Sequence, residues 1–218
     1  VAVVSAGRGS EHSYWGCLNI SFFDPRRKVA RLKQHGRGGL GTVFRNKKLK
    51  ALVARIEKFD GTSNDPADPD RLAAAGLKHH REMRDLDKDQ CNMRVVGTGN
   101  IVEVMDAYDL LPTENYRFGS HPKASNLHSP QFYKRFTQVI PDGCWYGCTM
   151  ACAKVVDGFG VMTGPYKGMK FSVDGPEYEN SAGCANMGLW DPDWVIEWNF
   201  YCDTYGIDTI SFATGMAF

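Results

Sequence analysis

Phe59-Asp-Gly-Thr-Ser-Asn-Asp-Pro-Ala-Asp-Pro69 divides this chain of 218 residues into two stretches of different periodicity. A cluster of Asp, Pro, Gly and Ser between periodic segments reads as a linker, because these residues favour turns over ladders or helical turns. Upstream, Val1–Ser5, Cys17–Phe23 and Leu49–Ile56 carry the β-branched and apolar content of strands, separated by Gly-rich or Pro-containing turns. Downstream the period becomes helical. Asp70–Leu86 opens on an acidic residue and repeats small apolar residues at helix spacing, and Asn100–Leu110 is a second helix ended by Leu111-Pro-Thr113. Gly175–Leu189, Asp193–Tyr205 and Thr209–Phe218 complete the helical set, while Asn126–Phe136 fits either period. The expected class is α+β: residues 1–58 end a β-rich domain, and residues 59–218 form a mainly helical one.

Composition narrows the function. The net charge is +1, so nothing draws the whole chain towards nucleic acid, which demands a broad basic surface. No run of eighteen apolar residues is present, so no membrane span is expected. Seven cysteines, an odd and clustered set, argue against a secreted disulfide framework and for the reducing cytoplasm. The opening Val1-Ala-Val-Val-Ser5 reads as a strand already inside a fold, and the closing Ser211–Phe218 has no polar tail. The chain is therefore expected to be a piece of a longer protein.

Cys144-Trp-Tyr-Gly-Cys148-Thr-Met-Ala-Cys152 is the densest chemical signal. Thiolate is the soft anionic ligand that iron–sulfur clusters prefer, and short spacing lets a little backbone wrap one. Zinc is the competing metal, although its structural sites usually come as paired Cys-x2-Cys knuckles. Three thiols alone leave a ligand missing, for which Cys184, Cys202 or a residue outside the chain are candidates. The plain alternative is three small residues buried along one helix face, since spacings of four and eight lie near one side.

A second motif, Gly36-Arg-Gly-Gly-Leu-Gly41, is followed by Asn46, Lys47, Lys48 and Lys50. Glycines let backbone N–H groups approach an anion, and the flanking cations add charge. It falls one residue short of the dinucleotide fingerprint, and the preceding Lys28–His35 is basic rather than an apolar strand. A phosphate-gripping loop of another kind fits better. Arg26, Arg27, Lys28, Arg31 and Lys33 then form a solvated face or neutralise a polyanionic cofactor.

Carboxylates make up the rest. Asp203-Thr-Tyr-Gly-Ile-Asp208 brackets a Tyr-Gly break, and ionised carboxylates suit a ligand edge with several N–H donors, such as a pterin ring. Asp208 as a helix cap and Gly206 as a helix stop explain the same letters. In Asp174-Gly-Pro-Glu177-Tyr-Glu179 the acids suit proton transfer, or equally the first turn of a helix.

Taken in order, Gly36–Leu52 (GRGGLGTVFRNKKLKAL), Gly97-Thr-Gly99, Leu111-Pro-Thr-Glu-Asn-Tyr116, the cysteine triplet, Gly-Pro-Glu-Tyr-Glu and Asp-x-x-Gly-Ile-Asp-Thr-Ile-Ser resemble the tungsten-containing aldehyde ferredoxin oxidoreductases. The resemblance implies a tungsten, occasionally molybdenum, ion on two pterin cofactors beside one [4Fe–4S] cluster, with magnesium bridging the pterin phosphates. It implies a phosphate contact at Arg37, Gly38 and Gly39, a pterin-ring contact at Asp203 and Asp208, and cluster ligation by Cys144, Cys148 and Cys152. Glu179, or alternatively Glu177, becomes the catalytic acid near the metal. It further implies an aldehyde substrate oxidised to a carboxylic acid, electron delivery to ferredoxin or an iron–sulfur subunit, and an oligomer. Some members of that family instead reduce the ring of an aryl-CoA ester. A cluster-bearing electron-transfer module without a pterin and a zinc-stabilised binding domain are the readings from other classes. Family members more often show Cys-x2-Cys-x3-Cys, whereas both gaps here are three.

Overall fold

A computed structural model describes residues 1–55, 66–144 and 148–218. Strands β1 (Ala2–Ala6), β2 (Leu18–Asp24), β3 (Val29–His35) and β4 (Ala51–Ala54) form an antiparallel sheet in the order β3-β2-β1-β4. Its register pairs Val4 with Ile20 on one side and with Leu52 on the other. Three of these strands follow the expectation within two residues. Ile56 and the linker as far as Asp65 lie outside the described residues.

β3 is the unexpected strand. Its Arg31 and Lys33 stand two apart and so share one face of the strand, and that face meets buried carboxylates rather than apolar side chains. The usual alternation is therefore written in charge. Helix α1 (Leu40–Asn46) follows the glycine loop and packs on the β1–β2 connection, where Gly41 N–H donates to the Gly16 carbonyl at 2.9 Å. A Cβ on Gly41 would stand 2.2 Å from the Cys17 carbonyl oxygen, so this approach needs glycine.

The helical part opens with α2 (Pro69–Gln90), capped by the Asp68 side chain, which accepts from Arg71 N–H at 2.9 Å. At its far end Asp87 accepts the N–H groups of Met93 and Arg94 at 2.8 and 2.9 Å, tying α2 to the short α3 (Met93–Val96). Helices α4 (Asn100–Ala107) and α5 (Ser129–Tyr133) and the hairpin β5 (Val155–Gly160) and β6 (Lys170–Asp174) lead to α6 (Tyr178–Asn186), α7 (Pro192–Tyr205) and α8 (Thr209–Ala217). The ambiguous stretch from Asn126 resolves as a 3-10 turn and α5.

Leu111, Leu127, Phe132, Val173 and Ile196 sit at the centre of one core, against which Trp190, Trp198 and Tyr201 pack partly buried. Trp194 is 43% exposed, since its position turns outward from α7. Glu197 is buried there and anchors the β5–β6 connection by accepting the Thr163 N–H at 2.9 Å. Among the described residues no helix is long and apolar enough to cross a membrane.

Candidate functional site

Arg37 is where distant segments meet. The glycine loop that carries it holds Gly36, Gly38 and Gly39 at positive φ, and Gly39 starts α1 in the left-handed region. A Cβ at Gly39 would press on the Tyr14 carbonyl oxygen at 2.6 Å, whereas one at Gly38 meets nothing within 4 Å. Gly38 thus faces open space, a cradle for a ligand's anionic group. The Arg37 guanidinium donates to Asp208 at 2.5 Å and to the Thr209 hydroxyl at 3.0 Å, and forms an ion pair with Glu179. Burial pulls its pKa down, and the Glu179 and Asp208 carboxylates outweigh that and raise it.

Asp203 and Asp208 lie where α7 ends and α8 begins. Gly206 closes α7 in the left-handed conformation at φ 66°, and Asp208 caps α8 by accepting Ile210 N–H at 2.9 Å. Both plain readings of these letters hold, and the turn does more. Its backbone is sewn to the sheet: Cys17 N–H donates to the Gly206 carbonyl at 2.7 Å, and Asp208 N–H donates to the Trp15 carbonyl at 2.8 Å. Asn19 on β2 donates to the Asp203 carbonyl at 3.0 Å, and Gln34 on β3 donates to the Ile207 carbonyl at 3.0 Å. A Cβ on Gly7 would meet the Tyr205 carbonyl oxygen at 2.2 Å, so the N-terminal glycines admit this turn. Burial pushes the Asp203 carboxyl well above the ordinary range, with the Asp174 charge adding to it.

Glu177 caps α6 reciprocally with Asn180, whose side chain accepts Glu177 N–H at 2.7 Å. Burial, then the charges of Glu179 and Asp174, raise the Glu177 pKa to about 7. A cavity of about 160 Å³ is walled by Arg37, Glu177, Glu179 and Asp203. A second, of about 590 Å³, runs along β2 and β3 to Asp142, Cys144 and Glu177.

The cysteine segment corrects the single-helix reading. Cys144 lies in a bend, Cys148 and Cys152 lie outside any helix or strand, and all three thiols are free; Trp145, Tyr146 and Gly147 lie outside the described residues. Burial raises the Cys152 pKa, followed by the charges of Glu177, Cys144 and Cys148. Cys184 and Cys202, considered above as a fourth ligand, are buried in α6 and α7, and burial pushes Cys184 up to about 12. Cys91 is exposed. Among the described residues no three His, Cys, Asp or Glu side chains converge as metal ligands.

Sequence reasoning missed the ionic cluster that braces both cavities. Arg31 donates to Asp24 at 2.8 Å, to both oxygens of Asp142 at 3.1 Å, and to Asp174 at 3.1 Å. Lys33 bonds Asp142 at 2.9 Å and Asp174 at 2.5 Å, and Arg27 bonds Asp24 at 3.0 Å. Neither a solvated face nor a cofactor counter-charge describes Arg27 and Arg31, because protein carboxylates already occupy them. The spacing of Arg31 and Lys33 along β3 was the available signal. Lys154 was also missed; it donates to the carbonyls of Ala151 at 2.7 Å and Arg94 at 2.8 Å, holding the end of the cysteine segment.

Sheet and helices together make an α+β chain. Residues 75–218 match the family described as aldehyde ferredoxin oxidoreductase, domains 2 and 3, and the chain belongs to that family. It is 27% identical over 183 residues to the tungsten-containing aldehyde ferredoxin oxidoreductase of Pyrococcus horikoshii, and 28% identical over 200 residues to that of Pyrococcus abyssi. Each match covers 84% of this chain and 28% of the relative, so the chain spans under a third of their length. The WOR-like subunit of aliphatic sulfonate oxidoreductase from Pyrococcus furiosus is 26% identical over 184 residues, covering 81% of this chain and 26% of that protein.

Proposed function

We propose that the protein containing this chain oxidises an aldehyde to a carboxylic acid at a tungsten or molybdenum bis-pterin centre. Electrons leave through a [4Fe–4S] cluster to ferredoxin or a partner iron–sulfur subunit, in an oligomeric cytoplasmic enzyme. Residues 1–58 end its pterin-binding domain, and residues 59–218 carry the cluster and pterin motifs. The supporting observation is convergence. Arg37, Glu179 and Asp208 come from three segments of the chain, 142 and 171 residues from Arg37, and meet in one ionic contact.

The residues present fit such a group. Gly38 opens on free space in a loop of positive-φ glycines, whose backbone N–H groups suit a pterin phosphate and its magnesium. Asp203 is a half-buried carboxyl without an ion pair to Arg37 or Lys33, and Asp208 turns one oxygen to Arg37. Three free thiols in one short segment suit iron. The bound metal supplies Lewis acidity and two-electron redox capacity.

The chain's own part is to orient and to move protons. Arg37 fixes Glu179 at the mouth of the smaller cavity, where the carboxylate takes the proton released as water adds to the aldehyde carbon. Asp203 and Asp208 would hold the ring, and the α7–α8 turn that carries them is fixed to the sheet by backbone bonds to Trp15 and Cys17. Elemental analysis of the anaerobically purified full-length protein tests the cofactors: one tungsten or molybdenum with about four irons per chain is expected. Zinc alone, or iron without either heavier metal, would refute the reading. Glu179→Gln is expected to abolish aldehyde-dependent dye reduction at unchanged metal content, and retained turnover would remove Glu179 from its role.

A further inference from the structure

The cysteine segment meets α2 as well as the sheet. His80 forms a hydrogen bond with the Thr149 hydroxyl, which sets the middle of α2 against the residue after Cys148. Beside that contact lies a cavity of about 410 Å³, walled by Leu77, His80 and Arg84 of α2, Arg26 of the β2–β3 turn, Arg94 of α3 and Cys148. The three arginines and His80 are exposed. One carboxylate lines the cavity, Asp142, and Arg31 and Lys33 already hold it. Arg84 and Arg94 form no ion pair with another described residue.

The charge on α2 is sorted. At 3.6 residues per turn, Leu77, His80, Arg84 and Lys88 fall along one side, and Glu82, Asp85 and Asp89 fall away from it. Lys78 belongs to the acidic side and pairs with Glu82 at 3.7 Å. Of the 22 residues of α2 one, Asp87, is buried, so the basic side stands open to its surroundings. The whole chain carries a net charge of only +1, so this face is a local asymmetry. The thiols reach the same surface: Cys144 is exposed and Cys148 is half-buried.

We propose that the basic side of α2, with Arg26 and Arg94, is the docking surface for an acidic electron-carrier protein. The inference rests on the electron-transfer reading above and names the place where electrons leave. Converting R–CHO and water into R–COOH releases two electrons and two protons. A carrier with one iron–sulfur cluster accepts one electron, so two oxidised carriers arrive and two reduced ones depart in each turnover. Such traffic needs a small contact that forms and parts quickly, and redox encounters are accordingly small. Complementary charge serves it, because steering speeds association more than it tightens the complex. Guanidinium groups receive carboxylates in forked pairs, and Leu77, 59% exposed among the cations, gives the contact an apolar centre.

The test uses the full-length metal-loaded enzyme, its Arg84→Gln/Arg94→Gln variant, and Arg71→Gln/Lys123→Gln as a charge-matched control at exposed positions outside this face. The probe is an acidic ferredoxin with one [4Fe–4S] cluster. At low ionic strength kcat/KM for ferredoxin falls about tenfold in the variant, the low end of what charge steering contributes, and stays unchanged in the control. Raising salt to about 0.5 M, where screening acts within a few ångströms, lowers the wild-type value and lowers the variant's less. Aldehyde-dependent reduction of a neutral dye is the same in all three proteins. Independently of turnover, ferredoxin slows amide hydrogen exchange in residues 77–88 of the wild type and not of the variant. Absence of that protection, or an unchanged kcat/KM for ferredoxin in the variant, overturns the docking surface alone. A raised KM for the aldehyde with the dye assigns these cations to substrate and overturns it as well. A wild type without aldehyde-dependent dye reduction overturns the underlying reading, and the docking surface with it.

Discussion

Replacing Arg31 by methionine removes the hub of the buried ionic cluster while keeping most of the side-chain volume. Arg31 is 5% exposed and binds Asp24, Asp142 and Asp174 through four hydrogen bonds of 2.8–3.1 Å. Breaking a buried pair by deleting one partner costs about 3–5 kcal/mol, because the remaining charges stay desolvated. Arg27 still holds Asp24, and Lys33 still holds Asp142 and Asp174, so the lower end applies: about 3 kcal/mol.

The loss has an address. Asp142 lies two residues before Cys144 and Asp174 three before Glu177, so local opening of residues 140–144 and 171–176 becomes easier. Amide hydrogen exchange in the full-length protein measures it directly, and about 3 kcal/mol corresponds to about 10²-fold faster exchange in those segments. Arg31→Lys keeps the charge but loses the planar fork, and recovers only part of the protection. The cluster also sets a pH dependence. Hydrogen bonds from Arg31 and attraction to Lys33 overcome burial and hold Asp142 below the usual carboxylate range. Its stabilising contribution is present above that range and is lost as acid protonates it, more steeply in wild type than in the variant. Exchange in Arg31→Met within threefold of wild type would show that the cluster holds nothing in place.

Gly38→Ala places a methyl in the open cradle at a cost of about 1–2 kcal/mol for the left-handed backbone. Pterin content of the purified protein is expected to collapse while the unfolding midpoint moves little; a normal pterin content would refute the phosphate role. Alkylation followed by peptide mapping tests the cysteines. With iron bound, only Cys91 is expected to react; after iron removal Cys144, Cys148 and Cys152 join it, and Cys17, Cys184 and Cys202 stay protected by burial. Reaction of the triplet at its full rate in the iron-loaded protein would exclude it as the cluster ligand set.

The long helices and three sheet strands were legible because their periodicity is apolar, as at Val1–Ser5 and Asp193–Tyr205. β3 was hidden because Arg31 and Lys33 occupy the inward face that apolar residues usually take, and such a strand reads as a solvated basic run. The β5–β6 hairpin was hidden by its irregular register between Val156 and Phe159, which breaks the alternation. At the site, the Arg37 loop and the two aspartates announced themselves as motifs. Nothing local in the sequence pairs Arg37 with Asp208 and Glu179, since that contact comes from tertiary packing alone. The cysteine spacing pointed to a soft metal and left a helix face as the plain alternative; the described residues of the segment are not helical, and Asp142 and Lys154 pin its two flanks.

The seam between the α7–α8 turn and the first two strands has a kinetic side. Cys17 meets Gly206 and Trp15 meets Asp208 through backbone bonds, and the Asn19 side chain adds a bond to the Asp203 carbonyl. Contacts this remote in sequence form only after a large loop has closed, and such closures come late in folding. On a ribosome, the glycine loop emerges long before the carboxylates that complete its pocket. A bulky cofactor bound there would therefore have a period in which one wall is built and the other is still unmade, and the same seam that later shuts the pocket would set when loading must be finished.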